Sequence, residues 1–157
     1  EVGCFEASFV PTRDDFSRLD QRFRLSDEVW QALPGYNDWG FAVFKLRPMA
    51  RRTDVHPMAF EFPQRNPDRL FFPTVHVHNG RVEPQATFDH VLYCQDVDET
   101  RRKRWYESFQ PGSPWEQSSV APDEVFDADR AEGIIRPDRP CHRVPITGSY
   151  ANIDVVI

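Results

Sequence analysis

The sequence predicts an α+β domain, mainly antiparallel and β-rich, with three or four short helices. Several short runs alternate apolar and polar residues, the signature of half-buried strands. Between them lie brief stretches with helix-starting residues ahead and proline or glycine behind. With 157 residues, 13 phenylalanines and 4 tryptophans the chain can build a real core, so it reads as a single domain over residues 1–157. The 14 prolines against 7 glycines predict many fixed loops rather than flexible ones.

Taken in order, residues 2–10 read as a strand with Phe5, Ala7 and Phe9 on one face. Thr12 is placed to cap a short helix through Asp14, Asp15 and Leu19, where acidic residues suit the first turn. Ser26, followed by Asp27 and Glu28, opens a second helix over Val29, Trp30 and Leu33, which Pro34-Gly35 stops. Trp39 to Leu46 is apolar on both faces and predicts a central strand. Residues 48–55 form a polar loop. The next strand starts near His56-Pro57 and carries Met58, Phe60 and Phe62 on one face. Leu70 to His78 and Phe88 to Cys94 are two more strands. Asp98 caps a helix over Thr100 to Phe109, a Pro/Ser-rich loop follows, and Pro122 starts a helix over Glu124 to Ala131. His142 to Ile146 and Asn152 to Ile157 read as a strand pair turning at Gly148-Ser149.

Functional signal concentrates in one stretch. Three of the five histidines, His76, His78 and His90, lie within residues 76–90 together with Glu83 and Asp89. Strand alternation puts Thr74, His76 and His78 on one face, with Phe71, Pro73, Val75 and Val77 on the other. Asn79-Gly80 is a hairpin turn signal. A tight turn sets His78 opposite Arg81 and His76 opposite Glu83, at cross-strand contact distance. An unbroken strand from Arg81 would send His90 to the face opposite Glu83. Pro84 interrupts it, since proline cannot donate to a ladder, and a break there turns His90 toward the other two imidazoles.

Two imidazoles with a carboxylate or a third imidazole suit a divalent metal such as zinc, iron or manganese. The candidate ligands are therefore His76 and His78 with either Glu83 or His90. Thr74, Arg81 and Asp89 would be orienting groups, and His56 a distant extra ligand. The alternatives are a polar ligand pocket without metal and a purely structural use of the same residues. Reaction and substrate stay open. His76-x-His78, four residues and then Glu83 is similar to the core of the first cupin motif over these eight positions. Leu70 and His90 stand where that motif has glycine, and no cupin activity is carried over.

Other chemistry is weaker. Cys94 and Cys141 are candidate thiol nucleophiles that need a neighbouring base. Arg101 to Arg104 with Trp105 and Tyr106 make a local basic and aromatic stretch, but acidic residues precede it and the net charge is −6, so nucleic acid is not the expected partner. An assembly role is the competing reading, with Trp105, Tyr106 and Trp115 as anchors against another protein chain or segment. The start at Glu1 and the apolar run Val155-Val156-Ile157 read as the edges of a piece of a longer protein. No apolar run approaches the roughly 20 residues of a membrane span. Three cysteines without a Cys-x-x-Cys pair read as reduced thiols in a cytoplasmic protein.

Overall fold

A computed structural model describes residues 4–46, 55, 58–95, 97–108, 114–127 and 129–157. The architecture is α+β and β-rich, with three small antiparallel sheets and a few short helices among the described residues. The chain divides into two compact units, Glu1–Met58 with Val77–Val82 and Ala59–His76 with Glu83–Ile157.

In the first unit, β1 (Phe5–Val10) pairs antiparallel with β2 (Phe41–Leu46), from Phe5↔Leu46 to Val10↔Phe41. The buried face is the one through Val10, Phe41 and Val43. Phe9 points the other way and is 73% exposed, so the expected Phe5/Ala7/Phe9 face is not the core face. The core is an aromatic triangle. Phe16, Trp30 and Phe41 meet edge to face, with ring centres 5.0–5.4 Å apart. Phe16 comes from the 3-10 helix Arg13–Arg18, and Trp30 from α1 (Asp27–Ala32). Ser26 caps α1 as expected, its hydroxyl accepting from the Val29 N–H at 3.4 Å. Thr12 instead turns its hydroxyl to the Asp15 carboxylate at 2.8 Å. β2 was expected to be central. It sits in a two-stranded sheet, and its apolar second face is left partly exposed at Ala42 and Leu46.

The second unit is built on one long ladder. β4 (Gln85–Cys94) pairs with β6 (His142–Ala151) over ten residues, from Gln85↔Ala151 to Cys94↔His142. Alternation along β4 buries Ala86 and Phe88, and along β6 Val144 and Ile146. A short β5 (Glu116–Gln117) extends the sheet on the far side of β6. α2 (Glu99–Ser108) packs Trp105, fully buried, edge to face on Trp115 at 5.4 Å. Asp98 caps α2, accepting from the Arg101 N–H at 2.8 Å. α3 (Pro122–Val125) is a single turn, shorter than expected, because Val125 at its end and Phe126 beyond it remain exposed and give no apolar stripe to bury.

The tail differs from expectation in an informative way. There is no turn at Gly148-Ser149. β6 runs straight through, with Gly148 opposite Phe88 at φ 122°, a conformation open to glycine and strained for other residues. The chain turns after Ala151, and β7 (Val155–Val156) pairs with β3 (Phe71–Phe72). Residues 58–62, expected to be strand, pair with nothing regular among the described residues. Phe60 and Phe62 lie half-exposed against one another at 5.9 Å. Residues 48–54, His56 and Phe109 lie outside the described residues. No helix among the described residues is long and apolar enough to cross a membrane.

Gly148→Ala is expected to lower the unfolding free energy by about 1–3 kcal/mol through backbone strain alone, since the added methyl would meet the Tyr150 ring only at an ordinary 3.6 Å. Urea denaturation checks this, with Gly35→Ala, at an unstrained open position, as the near-neutral control.

Candidate functional site

The site starts from a proline. Leu70 and Ile157 exchange main-chain hydrogen bonds at 2.7 and 2.9 Å, and β3 continues that pairing with β7. Pro73 has no N–H, so the ladder ends there. Side chains take over its work. The Asp154 carboxylate accepts from the main-chain N–H of Thr74 (2.9 Å) and Val75 (3.2 Å). The buried Thr74 hydroxyl donates to the Ile153 carbonyl (2.8 Å) and accepts from the Val155 N–H (3.1 Å). Asn152 completes the set. Its Oδ1 accepts from the His76 N–H at 2.7 Å, and its Nδ2 donates to the His76 and Glu83 carbonyls, both at 2.9 Å. Asn152 is only 8% exposed, so these bonds satisfy an amide that burial would otherwise penalise.

This clamp fixes the main chain of His76 and aims its ring over β4. The His76 ring lies on Phe88 with centres 4.7 Å apart and meets His90 from the same strand face. Nε2 of His76 and Nε2 of His90 are 2.8 Å apart, with ring centres at 4.9 Å, so the two nitrogens point at one another. A contact of that length needs one N–H and one lone pair, and a neutral imidazole has one of each. One proton therefore lies between the rings. Phe88 meets His90 edge-on at 5.7 Å and walls the pair on its inner side. His76 is half-buried and His90 exposed, so the pair is open to solvent on the His90 side.

The other expected site residues go elsewhere. His78, in the first unit, is exposed and exchanges main-chain bonds with Arg81 at 3.0 and 2.9 Å. The turn between them has Asn79 at φ 51° and Gly80 at φ 71°, the tight hairpin geometry that Asn-Gly predicts. His76 and Glu83 do not continue the pairing, because the Asn152 amide stands between their carbonyls. The Glu83 side chain is exposed, and Asp89 lies on the outer face of β4 opposite Thr147. Thr74 serves the clamp rather than a ligand. His90 meets His76 without any turning-back of β4, which begins after Pro84 and stays regular; the 73–76 segment comes to it. His56 lies outside the described residues. Among the described residues no group of three or more His, Cys, Asp or Glu side chains is arranged to hold a metal ion.

Cys4, Cys94 and Cys141 form no disulfide among the described residues and are half-buried. Burial pushes the Cys141 thiol up, partly offset by a hydrogen bond from the Cys94 main chain, which disfavours the thiolate that a nucleophile needs. Asn152 and Asp154 were the residues missed. The available signal was two polar side chains two positions apart in an otherwise apolar tail, Ala151 to Ile157. No protein-family model matches this chain, and no curated protein or solved structure matches it either.

Asn152→Ala strands one N–H and two carbonyls and is expected to cost about 2–4 kcal/mol in urea denaturation. Ser149→Ala, whose hydroxyl makes only a long 3.5 Å exposed contact, is expected to change stability by less than about 0.5 kcal/mol.

Proposed function

We propose that the second unit binds a divalent metal ion through Nε2 of His76 and Nε2 of His90, with the remaining coordination positions open to water or a substrate. The observation that supports this reading is the 2.8 Å approach of two imidazole nitrogens held on rigid backbone. In this reading the metal takes the place of the shared proton. At zinc–nitrogen distances of about 2.0–2.1 Å, tetrahedral ligands stand about 3.3 Å apart, so the 2.8 Å separation has to open by about half an ångström. The exposed His90 ring supplies that movement while the clamp holds His76. Two nitrogen donors favour zinc or iron over manganese, which prefers oxygen ligands. Open positions fit Lewis-acid or oxygen-dependent chemistry on a ligand approaching past His90. Three cysteines that form no disulfide among the described residues fit a reducing, cytoplasmic setting.

The second reading is assembly. Its proposed anchors change, because Trp105 is fully buried and Trp115 is 2% exposed; both hold the core. What favours it is β4, which among the described residues has a free edge and carries exposed Val91 and Tyr93. A chain that stays monomeric by light scattering at high concentration counts against this reading.

Metal analysis after equilibrium dialysis against zinc and iron(II) tests the first reading. The expected result is one equivalent bound by the parent and by His78→Ala, and none by His76→Ala or His90→Ala. A parent that takes up no metal under any loading condition contradicts the proposal.

A further inference from the structure

A different polar group lies on the inner face of the β5–β6 end of the sheet. β5 sets Gln117 opposite His142, so Trp115 and His142 are diagonal neighbours on one face, a separation that aromatic side chains span. The Trp115 indole N–H is buried and has no hydrogen-bond partner among the described residues. Nδ1 of His142 is likewise buried without a partner. Arg102 of α2 reaches the same place. Its Nη1 donates to the Trp115 carbonyl at 2.8 Å. Its charge also bears on His142, whose pKa is lowered first by burial and then by this guanidinium. Arg102 is half-buried and forms no ion pair with a carboxylate among the described residues. Its outer end borders an open surface depression along α2, shared with Glu99, Thr100, Lys103 and Tyr106.

We propose that Arg102, the Trp115 indole N–H and His142 form a binding site for a small oxyanion, a phosphate or carboxylate group that reaches the two buried ring nitrogens past the Arg102 side chain. The donor set decides the class. A guanidinium and an indole N–H have protons and no usable lone pair, and the neutral imidazole supplies a further N–H at Nδ1 in one tautomer. With the His142 proton on Nδ1, an acceptor-rich ligand satisfies all three, and a negative charge pairs with a guanidinium that has no carboxylate partner among the described residues. A water molecule accepts from two of these groups and leaves the charge unmatched.

Inorganic phosphate and acetate, titrated separately at ionic strength fixed with potassium chloride, test the site through tryptophan emission and the thermal midpoint. A saturable emission change and a raised midpoint with one anion, absent with chloride, are expected. Phosphate or acetate as the effective arm identifies which oxyanion the site takes. Arg102→Gln is expected to raise the half-saturation concentration about tenfold or more, and Lys103→Gln much less. If Arg102→Gln does not fold, the midpoint of the parent protein decides. No saturable response to either anion at millimolar concentration overturns the proposal, as does equal weakening by Lys103→Gln, which would mark diffuse charge attraction.

Discussion

The second unit depends on one buried amide. Asn152 does what a strand neighbour would do for His76, accepting its N–H and donating to its carbonyl, and spends its second N–H on Glu83. A side chain has to do this because Pro73 has ended main-chain pairing three residues earlier. The chain's final residues are thereby tied to the segment carrying the histidine. That segment in turn covers Phe88, one of the most deeply buried residues of the core. Core, tail and candidate site share one polar joint. A buried polar joint specifies a single arrangement because each misregistered alternative leaves its groups unsatisfied.

The histidine pair inherits its precision from that joint. His90 is held by the middle of a ten-residue ladder opposite Ile146, and His76 by the amide clamp. His76 stands on an irregular segment, but its main chain is fixed by the clamp, so ordering costs are met by folding itself. An exposed imidazole joined to a half-buried one is a proton-sharing unit by itself and, in the proposed reading, half of a metal shell. Both uses rest on the same two Nε2 atoms.

Much of this was legible in the residues. Alternation located β4, Ser26 and Asp98 marked helix starts, and Asn79-Gly80 gave the hairpin turn that brings Arg81 opposite His78. The proximity of His76 and His90 was also readable as one of two possible sets. Failures came where tertiary partners decide. Gly148-Ser149 has turn composition, yet a partner strand long enough to pair through it keeps β6 extended. Phe60 and Phe62 alternate well but find no strand to pair with among the described residues. Trp105 and Trp115, read as surface anchors, are core because α2 and β5 press them together. The Asn152 clamp was hidden because its bonds join residues 76 positions apart, and no local pattern encodes that separation.

The central claim is that His76 and His90 act as one unit through a direct Nε2–H···Nε2 bond. The most direct measurement is the scalar coupling between those two nitrogens, observed by NMR in protein labelled with nitrogen-15 at histidine and freed of metal. A resolved coupling between the two Nε2 atoms, with one nitrogen protonated and the other not, is the predicted result. Two imidazoles with no mutual coupling, each exchanging its ring proton independently with solvent, would contradict it.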